Sequence, residues 1–121
     1  MNAPVLERNL HVAPAFQVRN TAAVTGPVGA ELTLLHAQVP QSGGRFLFYL
    51  VDPAAKAPIS IGQLSVVGPT YQSVGTVHVY VELSTRALQI LRETHSPKVR
   101  IVQEREGGGQ LMVRTIELHA S

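Results

Sequence analysis

The sequence predicts a mainly β protein: an antiparallel β-sandwich of about seven strands, with one short helix over residues 84–94 set between the late strands. Three observations carry that expectation. Apolar residues alternate with period two in successive runs, turn signals built on Gly and Pro separate the runs at spacings of roughly 8 to 15 residues, and a single stretch after Ser84 switches to helical period.

The first 14 residues hold Pro4, Pro14 and a polar patch at Glu7, Arg8 and Asn9, with Leu10 and Val12 suited to an edge strand. They read as a weakly ordered N-terminal arm, leaving residues 15–121 as a single β domain. Residues 15–19 (AFQVR) alternate as a short strand, and the Gly26, Pro27 and Gly29 region is a loop. Residues 31–39 resume strand character, with Leu32, Leu34 and His36 assigned to one face and Leu35 and Ala37 to the other. Residues 45–51 are apolar on both faces, Phe46, Phe48 and Leu50 against Leu47, Tyr49 and Val51. Such a strand is covered twice or faces a partner. Asp52 and Pro53 end it, Asp52 by bonding its own turn.

The next strand, Ile59 through Val66, loses its alternation at Gly62, as a bulge would make it do. From Thr76 to Leu83 the pattern is strict, with four apolar residues on one face and Thr76, His78, Tyr80 and Glu82 on the other. The helix follows: Ser84 or Thr85 caps it, Ala87, Leu88 and Leu91 form its apolar stripe with Ile90 at the margin, and Ser96-Pro97 stops it. A helix this short is stable only when docked on a sheet. Residues 99–102 are a strand, the three glycines at 107–109 reverse the chain, and residues 111–118 return with a slip near Arg114 and Thr115. Without the first two strands, the order strand, strand, strand, helix, strand, strand also suits an OB-like barrel with extra N-terminal strands. The sandwich is preferred.

Cysteine is absent, which excludes a disulfide framework, a thiolate zinc site and a cysteine nucleophile. The N-terminus lacks the basic start and unbroken apolar run of a signal peptide, and no run approaches the roughly 20 residues of a membrane span, so the expectation is a cytoplasmic protein without membrane contact. Net charge is only +2, so a pI near 9.4 does not imply a strong positive field. With 15% charged residues and a mean hydropathy of +0.12, the chain has apolar surface to spare for a partner.

No catalytic or cofactor motif is present. The five histidines at 11, 36, 78, 95 and 119 lack metal-ligand spacing, and no metal or cofactor is expected; His78, on the polar face of its strand, is the histidine of most interest. Glu82 and Glu104 read as solvated strand residues, and the triple glycine lacks the Lys-Ser/Thr and helix of a phosphate loop. Three functions remain. The preferred one is a non-catalytic module that binds itself, as a homodimer, or another protein, through Phe46, Phe48, Tyr49 and Val51. The second is a single-stranded nucleic-acid binder using Tyr80, Arg86, Lys98, Arg100 and Arg114. The third is a small enzyme of unassigned class.

Overall fold

The computed structural model describes residues 5–14, 16, 27–38, 43–54, 57–67, 74–104 and 111–120. Among them run β1 (Val5–Val12), β2 (Val28–Gln38), β3 (Gly43–Leu50), β4 (Ile59–Val67), β5 (Val74–Leu83), α1 (Thr85–Glu93), β6 (Lys98–Gln103) and β7 (Thr115–Ala120). The strands join in the order β4-β3-β6-β1-β7-β2-β5. β1 and β7 pair in parallel; the other pairings are antiparallel.

β1 sets the shape. Its first half, Val5 to Asn9, pairs with β6, and its second half, Leu10 to Val12, pairs with β7. One leaf is therefore β4-β3-β6-β1 and the other β1-β7-β2-β5, a sandwich whose leaves share a strand and whose free edges, β4 and β5, come together at the far side. The expected β-sandwich is the observed fold. The OB-like alternative fails on pairing, because β5 hydrogen-bonds β2 instead of β4, and β2 stands between β5 and β7.

Within the expected N-terminal arm, Val5–Val12 is a strand set between β6 and β7, while residues 1–4 lie outside the described residues. Arg8 hides it in the sequence, since it occupies the parity of Leu6 and Leu10 where an apolar residue is expected. Its guanidinium is satisfied there by the carbonyls of Val113 (3.1 Å) and Glu7 (2.9 Å). The strand expected at 15–19 does not begin at Phe16, which has helical backbone, donates its N–H to the Ala13 carbonyl (3.0 Å) and is buried; residues 15 and 17–19 lie outside the described residues.

Inward faces follow the alternation closely. Phe46, Phe48 and Leu50 of β3, Val79, Val81 and Leu83 of β5, and Ile116 and Leu118 of β7 fill the space between the leaves. Each such side chain contributes about 1.5–3 kcal/mol by leaving water. Two slips foreseen in the sequence are real. Phe48 pairs with Gly62 but Tyr49 with Ser60, so Ile61 is the extra residue of a bulge. Near Arg114, the chain leaves strand geometry between Met112, bridged to Gln38, and Thr115, and so buries Leu111 and Val113 as well as Ile116 and Leu118.

That second slip has a partner the sequence did not show. β2 bulges at the same level: Leu34 pairs with Val77 and Ala37 with Gly75, and His36 takes a φ of 54°. The bulge corrects the assigned faces. Ala37 joins Leu32 and Leu34 in the core and His36 is exposed.

Ser84 caps α1, its Oγ accepting from the Ala87 N–H at 3.2 Å, and the Thr94 N–H closes the other end on the Ile90 carbonyl. Ala87, Leu88 and Ile90 are buried, whereas Leu91, nearer the last turn, is half-buried; the expected stripe is thus wider on the Ile90 side. No helix among the described residues is long and apolar enough to cross a membrane.

Candidate binding groove between the sheet edges

The free edges β4 and β5 meet without hydrogen-bonding to each other, and Gly62 is why they come so close. A Cβ at that position would lie 2.9 Å from Val81 Cγ1 and 3.0 Å from the Tyr80 carbonyl oxygen. Around this contact lies a groove of about 800 Å³. Its apolar floor includes Ile61, Leu64 and Val79; its polar walls are Ser60, Gln63 and Ser65 from β4 and His78, Tyr80 and Glu82 from β5. The strict alternation of β5 puts those last three side chains outward together, with Tyr80 60% exposed.

Two wall residues are oriented from behind. Gln63 Oε1 accepts from Arg45 Nε (3.0 Å) and Nη2 (2.6 Å), so its amide nitrogen is the end turned to donate elsewhere. His78 Nδ1 lies 2.7 Å from Glu31 Oε1, a diagonal contact between β5 and β2. An imidazole aligned by a carboxylate resembles part of a hydrolytic triad, but both side chains are well exposed, and in water such a pair contributes little. Glu31 and Gln63 carried no sequence signal, because their partners stand 47 and 18 residues away.

The residues singled out as an interface divide by face. Phe46 and Phe48 are fully buried between the leaves and cannot meet a partner, a correction that follows from their inward parity. Tyr49 and Val51 remain half-exposed. On the outer face, Leu47 pairs with Val102, and Val102 with Val5, so a row of three apolar side chains crosses β3, β6 and β1. Ion pairs flank it: Arg45 to Glu104 (3.5 Å) on one side and Arg100 to Glu7 (3.1 Å) on the other. Val5 and Val102 were missed because no local pattern joins them to Leu47.

The nucleic-acid candidates are not assembled into one surface. Tyr80 is on the outer face of β5, while Lys98 and Arg100 are on β6 of the other leaf. Arg86 is held by Asp52 through three contacts of 2.9–3.1 Å, and Arg100 by Glu7; Lys98 and Arg114 are exposed. Asp52 also accepts the Ala54 N–H at 2.9 Å, the turn expected of it. Among the described residues no three His, Asp or Glu side chains gather as metal ligands.

No family model and no curated protein matches the chain. Solved structures do. A latent aurone synthase, a polyphenol oxidase, superposes with a TM-score of 0.58 at 14% identity over 98% of this chain and 24% of that one. The carbohydrate-binding module of family 6 from the Zobellia galactanivorans laminarinase LamC gives 0.47 at 16% identity over 98% and 73%. A second such module, from Cellvibrio mixtus lichenase 5A and solved with cellotriose, gives 0.45 at 13% over 81% and 63%. The likeness is one of fold. The chain spans about a quarter of the oxidase and under two thirds of the Cellvibrio structure.

Proposed function

We propose that this protein is a non-catalytic binding module that associates with a second copy of itself through the outer face of β3, β6 and β1. The observation that supports this is the apolar row Leu47, Val102 and Val5, with Val5 57% exposed, crossing three strands between two ion pairs. Each flank carries one acid and one base, so a two-fold mate can set carboxylate against guanidinium on both sides of the row. Tyr49, two residues from Leu47 on the same face, supplies the aromatic anchor that interfaces favour. Asp52, the buried acid that follows β3, has a structural role, holding its turn and Arg86.

Gel filtration with light scattering, read at 260 and 280 nm, tests the proposal. At high micromolar concentration the particle should have twice the 13.0 kDa chain mass. Leu47→Glu or Tyr49→Glu should give a folded monomer, because the inward Phe46 and Phe48 still hold the core. A monomeric wild type overturns the reading. An excess of 260 nm absorbance that high salt strips away would favour nucleic acid through Lys98 and Arg114 instead.

A further inference from the structure

We propose that the groove between β4 and β5 binds an uncharged polyhydroxylated ring, a sugar, stacked on Tyr80. Among the described residues no Lys or Arg lines the groove, and those walls hold no cation for a phosphate or a nucleic-acid backbone. Hydroxyls of Ser60, Ser65 and Ser84, one amide, one imidazole and the Glu82 carboxylate make the walls too polar for a lipid chain, and the carboxylate disfavours an anionic ligand. A sugar combines the two needs this surface presents: its C–H face is apolar and suits an aromatic ring, while its rim of hydroxyls both donates and accepts.

Tyr80 is the platform. A tyrosine 60% exposed leaves much of its ring in water, and it stands beside the polar groups instead of apart from them. The hydrogen-bonding groups are also set in advance. Arg45 fixes Gln63 so that its amide nitrogen donates, and Glu31 fixes the His78 ring so that Nε2 is the nitrogen left for a hydroxyl. A groove of about 800 Å³ lies within the roughly 300–1,000 Å³ of ordinary ligand clefts.

Native affinity electrophoresis provides the test, with laminarin, hydroxyethyl cellulose, soluble starch and galactomannan as neutral probes and polygalacturonate as an acidic one. At least one neutral polysaccharide should retard the wild type. Tyr80→Phe, which keeps the ring, should be retarded similarly, whereas Tyr80→Ala should weaken binding about tenfold or more. Because Tyr80 is exposed, the melting temperature of Tyr80→Ala should match wild type, which separates lost binding from lost fold. Retardation by none of the neutral probes, retardation unchanged in Tyr80→Ala, or retardation by polygalacturonate alone that salt abolishes would each overturn the proposal.

Discussion

Gly62→Ala is the smallest change that tests how the sandwich closes. The added methyl would stand 2.9 Å from Val81 Cγ1 and 3.0 Å from the Tyr80 carbonyl oxygen, both inside normal contact. Neither neighbour yields easily. Val81 is β-branched and stiff at χ1, with its side chain packed into the core, and the second contact is backbone. The edges must therefore separate, an overpacking cost of about 1–3 kcal/mol. For a chain of this size each kcal/mol lowers the melting temperature by about 3–6 °C, so the drop should be roughly 3–18 °C. Gly75→Ala on β5 is the control: nothing lies within 4 Å of its Cβ position and its φ is not in the left-handed region, so alanine should be neutral or stabilise by up to about 1 kcal/mol. Thermal unfolding followed by circular dichroism reads both. If Gly62→Ala melts at or above wild type, level with Gly75→Ala, the close approach of β4 and β5 is not what closes the fold.

Two further substitutions probe the helix and its anchor. Leu88, 1% exposed on the buried side of α1, should cost about 2–5 kcal/mol as alanine in urea unfolding, while Gln89→Ala, which loses surface bonds to Arg86 and Glu93, should cost less than about 0.5 kcal/mol; equal effects would mean that α1 is not docked as described. Arg86→Met leaves the Asp52 carboxylate, with 4% side-chain exposure, without its guanidinium and should cost about 1–3 kcal/mol, less than a fully buried pair because Arg86 itself is 42% exposed. Adding Asp52→Asn to Arg86→Met should recover part of that loss, and a strictly additive double mutant would show that the two side chains do not depend on each other.

Local pattern determined a good deal. The strict alternation of β5, the change of period at Ser84, the turn at Asp52 and the slips at Gly62 and Arg114 are each written in a few adjacent residues, and each is present in the fold. Neighbouring side chains decide those features, since a pleat or a helical turn repeats within two to four residues. Tertiary structure decided the rest. Periodicity divides β3 into two apolar faces but cannot say which one meets the other leaf, so Phe46 and Phe48 looked as available to a partner as Leu47 and Tyr49. Likewise β1 acquires its central place, despite Arg8, from β6 and β7 on its two sides, which begin about 90 and 110 residues away in the chain. The groove is the same kind of product: Arg45 with Gln63, Glu31 with His78, and Gly62 against Val81 are cross-strand meetings, made by strand order and register, which are settled by burying the core as a whole and not by any segment alone.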